Sequence, residues 1–398
     1  MGLFSWLVGG KKAKQAAAGD ASAERPPAEG GTQTRRGEDG APAAGASPGS
    51  AETTEAAAEL EALVAQLDSS RAEARIDAAR ALLDRWREGD AAAAQALGPH
   101  VFELLEDKLP SLRQLALVAV RLFRKPENLE KAQSPVLARL ADPAAQVRTA
   151  AIWAAIHLPG EVARTQVRAQ LQSPEETMRF AAACALADKQ DGAALPELVA
   201  ALEEGHRRQE ALTALMTLGD ARAVEAIGAL FEKESVEQFD RTLAAAALAR
   251  FGDARGPAHL IERIESAGDD RPVAAEWAGR VGAQEAAAAL FALADEEGEA
   301  ARGAALRALG RLRAEGAWEK LRGLASDTAA EEDLRMDAAE GVAELGLPEA
   351  RALLESLRGA GGELGPLCAE LVAEMAAAET RLVGAATISP EPQKDPSS

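Results

Sequence analysis

Histidine, cysteine, arginine and the carboxylates are the residues with which this 398-residue chain could do chemistry. Its four histidines, His100, His157, His206 and His259, are the candidate metal ligands and proton carriers. None stands in a His-Glu pair, and they fall in separate segments with no common spacing, so the sequence offers no ligand set for a repeated metal centre. Cys184 and Cys368 lie far apart among alanines and other small residues, without a CxxC spacing. They read as buried free thiols suited to a reducing compartment. There is no phosphate-cradling glycine motif and no nucleophile elbow. The 64 acidic residues are too many for sequence alone to single out a pair. No catalytic, cofactor-binding or metal residue is assigned, and no cofactor is expected. What remains is a recurring arginine, at Arg148, Arg179 and Arg241.

That arginine belongs to a phrase that the chain repeats. Its clearest copy is DPAAQVRTAAIWAAIHLPG, residues 142–160. Asp142 has the side chain to cap a helix, and Pro143 suits a first helical position. Val147, Ala150, Ala151 and Ala154 share one helix face, and Gly160 can end the helix. A helix this short and Ala-rich needs a neighbour to bury its stripe. Related segments run through 173–202, 205–231, 234–264, 270–293, 298–325 and 332–357. Their turn positions are read at Gly219, Gly252, Gly282, Gly310 and Gly346. The period fits one helical hairpin per unit, with helix A before the glycine and a leucine-rich helix B after it. The composition agrees, since alanine favours helix and aromatic residues make up only 3% of the chain. Stacked hairpins that cannot bury their faces alone form an all-α solenoid.

The D-P-x-x-x-V-R phrase resembles a HEAT-type repeat, in the short form of bacterial HEAT-like proteins and phycobilin-lyase relatives. The resemblance is good over 135–357 and loose over 56–134. Asp142, Pro143, Val147 and Arg148 carry it best; Arg179 and Arg241 keep the arginine. It implies a right-handed α-solenoid, armadillo-like in its helix stacking. It also implies that the Asp and Arg join neighbouring units and that the function is protein docking. A related class of helical-repeat iron hydroxylases uses His-Glu pairs, which this chain lacks. A lyase role would need a chromophore groove that no residue pattern marks. The expectation is a non-enzymatic scaffold that holds a protein or peptide partner on its helix B side, with a lyase-like accessory role as the alternative.

Six stretches follow: 1–12, a short apolar and basic segment; 13–55, a disordered linker; 56–134, irregular repeats and a cap; 135–357, the repeats; 358–383, a capping helix; and 384–398, a tail. Within 126–142, PENLEKAQ reads as a connection before a short helix B. Arg148, Arg179 and Arg241 are expected to pair with acidic groups of their own or a neighbouring unit. Trp86, Trp153, Trp277 and Trp318 are read as core filling. The acid runs Asp295–Glu299 and Glu331–Asp333 are read as favouring positive helix ends. The net charge is −20, nearly all of it after residue 56, which argues against a nucleic-acid partner.

Leu3, Phe4, Trp6, Leu7 and Val8, followed by Lys11, Lys12 and Lys14, form the one apolar and basic patch outside the repeats. It is too short to span a bilayer and has the wrong order for a secretory signal. It suits either shallow insertion at an anionic membrane surface or docking on protein. The expected setting is cytoplasmic, with a peripheral position at the inner membrane face if the patch binds lipid. Flotation with anionic vesicles separates the two: on the lipid reading the full chain floats and a chain lacking residues 1–12 does not.

Overall fold

The computed structural model describes residues 48–386. Phe4, Trp6, Leu7, Lys11 and Lys12 lie outside the described residues, as do most of the 13–55 stretch and the tail beyond 386. Every described element is helical, and the chain divides into two compact units between Val167 and Arg168. The first unit holds α1 (Pro48–Leu67), α2 (Ala72–Arg87), α3 (Ala91–Leu97), α4 (Val101–Leu105), α5 (Pro110–Val120), α6 (Pro126–Ala138) and α7 (Ala145–Ala155). Helix α8 (Glu161–Ala169) carries the boundary. The second unit holds α9 (Glu176–Ala187), α10 (Leu195–Ala201), α11 (Arg208–Leu218), α12 (Val224–Glu232), α13 (Gln238–Arg250), α14 (Arg255–Glu265) and α15 (Arg271–Val281). It continues through α16 (Ala287–Asp295), α17 (Arg302–Leu312), α18 (Ala317–Ser326), α19 (Glu332–Leu345), α20 (Pro348–Leu357) and α21 (Leu364–Ala386).

Three expectations shift. Helix α1 starts at Pro48, inside the stretch read as linker. PENLEKAQ is no connection: Pro126 opens α6, which runs through Pro135 to Ala138 as one helix. Gly310 is not a turn residue, for it sits inside α17. The left-handed residue that ends that helix is Arg313, at φ 50°. Gln190 takes the same role after α9, at φ 54°. With these two restored, the left-handed stops fall at 160, 190, 219, 252, 282, 313 and 346, a more even period than glycine alone suggested.

The stacked hairpins are joined by arginine. Asp142 does not cap a helix directly: α7 starts at Ala145, beyond Pro143, and its cap residue is Ala144. Instead Asp142 accepts the Ala144 N–H at 3.0 Å and takes a bidentate pair of bonds from Arg113, at 2.8 and 2.7 Å. Arg113 sits one unit earlier on α5, and the Asp142 side chain is fully buried. Arg113 also donates to the Asp107 carbonyl at 2.7 Å. The same reach to a carbonyl recurs in every unit. Arg148 bonds the Asp142 carbonyl at 2.8 Å, Arg179 that of Ser173 at 3.0 Å, and Arg241 that of Lys233 at 3.1 Å. Arg75, Arg208, Arg271, Arg302 and Arg335 reach Leu67, Leu202, Ile264, Ala294 and Ala325. These carbonyls lie at or just past the end of the preceding element, where helical bonding has run out. The arginine therefore serves backbone first and acids second. Four of the series also bridge forward to the next unit: Arg75 to Asp107, Arg113 to Asp142, Arg208 to Asp240, and Arg271 to Glu296 and Glu299.

The acid runs take part in this wiring. Glu296 and Glu299 hold Arg271, and Glu332 accepts the Glu363 and Leu364 N–H groups at the start of α21. Burial alone would raise the Asp142 carboxyl; Arg113 and the Ala144 N–H outweigh it and hold it below the ordinary 3.8. Its contribution to stability is thus present above that value and is lost as pH falls through the folded pKa. Arg113→Ala leaves Asp142 buried without its main counter-charge and is expected to cost about 3 kcal/mol or more in urea unfolding at pH 7. Arg113→Met with Asp142→Asn should recover much of that loss.

Candidate functional site

In the second unit the A helices α9, α11, α13, α15, α17, α19 and α21 pack in series, each directly on the next. Small residues allow it. A Cβ added to Gly279 on α15 would lie 2.7 Å from the Ala308 Cα on α17. Gly310, read as a turn, faces the Gly341 backbone of α19 in the same way. Among the B helices only α14 and α16 make comparable contact. The A layer is therefore the tightly drawn side of this unit, and side chains on its solvent face are crowded together.

Next to Trp277 in the chain, Glu276 gathers three arginines. Trp277 is half-buried on α15, with the Arg280 guanidinium 5.6 Å from its ring centroid. Beside it Glu276 takes bonds from Arg280 at 2.8 Å and from Arg311 of α17 at 2.5 Å. Its Oε2 is buried without a hydrogen-bond donor, and the Arg307 Nε stands 3.8 Å away. Arg307 in turn pairs with Asp337 of α19, and Arg311 with Glu344 at 3.1 Å. The side chains of Glu276, Arg280 and Arg311 each keep 22% of their exposure. Burial pushes the Glu276 carboxyl up, but Arg311 and Arg280 outweigh it and hold it below the ordinary range. Burial wins at Asp337, whose carboxyl is raised in spite of Arg307. The arrangement is a half-solvated ladder of alternating charge across three helices, with an aromatic face at one edge. Its chemistry is recognition of polar and aromatic groups.

Trp277 and Trp318 pack against the core as expected, but neither is fully buried. Trp86, Trp153, Trp277 and Trp318 are all half-buried, and three of them carry an arginine over the ring: Arg121 on Trp153, Arg280 on Trp277 and Arg322 on Trp318. The repeat-position residues stand apart from the ladder. Val147 is fully buried, Pro143 is exposed in its loop, and Asp142, Arg148, Arg179 and Arg241 are joints. The ladder residues Glu276, Arg280, Arg307, Arg311, Asp337 and Glu344 escaped the sequence reading. Their signal was present as charge recurring inside helix A at the repeat spacing (276 to 307, 280 to 311 to 344). The fold also gathers donors that the sequence scatters: Glu176, Glu204 and His206 bring one ligand atom each to within 4.8 Å of the others. At present Arg207 spans the two carboxylates. Both cysteines are buried and unpaired.

No family model matches the chain, and no curated protein matches it in sequence. Solved helical structures do resemble it. The Escherichia coli protein YibA is 18% identical, with a TM-score of 0.42 over 69% of this chain and 99% of that one. The complex of CpcE and CpcF of phycocyanin lyase from Nostoc sp. is 20% identical, with a TM-score of 0.35 over 85% of this chain and 100% of the other. Human deoxyhypusine hydroxylase is also 20% identical, with a TM-score of 0.27 over 62% of this chain and 96% of that one. The repeats of this chain are HEAT-like. The hairpins, left-handed stops and arginine joints carry that likeness.

Glu276→Gln tests the ladder. The folded Glu276 carboxyl lies below its ordinary 4.5, so its charge stabilises the fold above that pH and the benefit fades as pH falls. Melting curves should place the variant below wild type by a constant margin at neutral pH. The margin should shrink below pH 4.5.

Proposed function

We propose that this chain is a non-enzymatic interaction scaffold that holds a protein or peptide partner on the A-helix layer around Trp277. The observation that carries the reading is the Trp277–Arg280 pair set beside Glu276, Arg307 and Arg311. Tryptophan and arginine dominate binding hot spots. The location departs from the expected helix B side, because close A-helix contacts concentrate the charges there. The acidic excess favours a protein partner over a polyanion. A cytoplasmic setting belongs to the same proposal, supported by the two buried free thiols.

The full chain, captured from lysate of its source cells under mild salt, should bring down one partner in near-equal amount. Trp277→Ala should lose that partner while keeping its helical circular dichroism. Trp318→Ala, which removes a helix B tryptophan that also carries an arginine, should retain it. Recovery of nothing above background, or equal loss from both variants, sinks the proposal.

A further inference from the structure

We propose that Glu176, Glu204 and His206 form a binding site for a borderline divalent cation of the zinc type, which Arg207 fills while no metal is bound. Glu176 is the first residue of α9, and Glu204 and His206 lie in the turn before α11. The three therefore come from successive hairpins, and a cation held by all of them ties one unit to the next. Their donor atoms lie within 4.8 Å of one another, on side chains that are exposed or half-exposed. A tetrahedral zinc ion with bonds of about 2.0–2.2 Å needs them roughly 3.4 Å apart, a closure that rotation of such side chains supplies. One imidazole nitrogen with two carboxylate oxygens suits zinc or nickel, whereas calcium asks for six or more oxygens. Three protein ligands leave a fourth position to water.

Arg207 shows that the place already selects positive charge. Its guanidinium pairs with Glu176 and, at 3.3 Å, with Glu204, and it lies 5.0 Å from the Phe180 ring centroid. A dication must displace it, and a destination stands nearby. Glu210, on the first turn of α11, is half-buried, and burial raises its carboxyl while Arg207 already acts to lower it. Arg208 is not a rival, since it is bound to Asp240. Three carboxylates (Glu176, Glu204, Glu210) then face one arginine and one dication, and the charges balance. With Arg207 alone they do not. Metal entry thus moves Arg207 from the Glu176–Glu204 pair to Glu210.

The exchange sets the test. The full chain, stripped with EDTA, is titrated with zinc sulfate by calorimetry, with nickel and calcium chlorides as comparisons. Zinc and nickel should bind at one site and calcium should not. His206→Ala should lose the site, as should Glu176→Gln. Arg207→Gln should bind zinc more tightly than wild type, because the competing cation is gone. His100→Ala, at an unrelated histidine, should leave binding unchanged. Melting curves without metal confirm that each variant folds. Absence of zinc uptake by the wild type, or uptake that survives His206→Ala, overturns the site. Equal or weaker binding by Arg207→Gln overturns the exchange.

Discussion

A helix end leaves carbonyls without partners, and a stack of short hairpins has such an end at every turn. In this protein an arginine near the start of each helix A from α2 to α19 reaches back across the loop to those carbonyls. The series from Arg75 to Arg335 repeats this contact in both units. Without it each loop would bring unsatisfied backbone to a junction that the next hairpin must cover. Guanidinium suits the task because its planar fork can serve a carbonyl and a carboxylate at once. Arg113 does both, bonding the Asp107 carbonyl and the buried Asp142 carboxylate. The acid in turn holds its own loop through the Ala144 N–H.

Close joints have a consequence for the surface. In the second unit glycine and alanine draw successive A helices together, so long side chains on that layer overlap from helix to helix. Glu276, Arg307, Arg311, Asp337 and Glu344 therefore form one ladder, where each alone would be an ordinary solvated charge. The environments along it differ enough to push Glu276 and Asp337 in opposite directions. The same crossing of unit boundaries puts Glu176 beside Glu204 and His206. Both features lie between repeats, where the copies differ from one another.

Much of the fold was legible. Hydrophobic spacing and alanine content announced the helices, and the recurring phrase announced the hairpins. The failures have particular causes. Gly310 was mistaken for a turn because glycine serves two purposes, reversal and close approach, which sequence cannot tell apart. Arg313 and Gln190 were missed because left-handed stops were sought among glycines alone. PENLEKAQ reads as a connection, yet it forms the first part of α6, a helix that carries Pro135 in its interior. Only three of the arginine joints were noticed. The others stand among common arginines, although Ser69 and Asp107 lie six residues before Arg75 and Arg113, just as Asp142 and Ser173 lie before Arg148 and Arg179.

The sequence by itself determined the all-helical class, the hairpin period, the net negative charge and the burial of the two thiols. These follow from side-chain type and spacing along one chain, which local physics can read. Tertiary structure alone decided which arginine meets which carboxylate of the next hairpin and which layer is drawn tight. It also decided that Trp277 sits beside a ladder and that His206 has two carboxylates for company. Those are contacts between residues about thirty positions apart. Their existence depends on how closely one hairpin lies on the next, a distance set by packed volume.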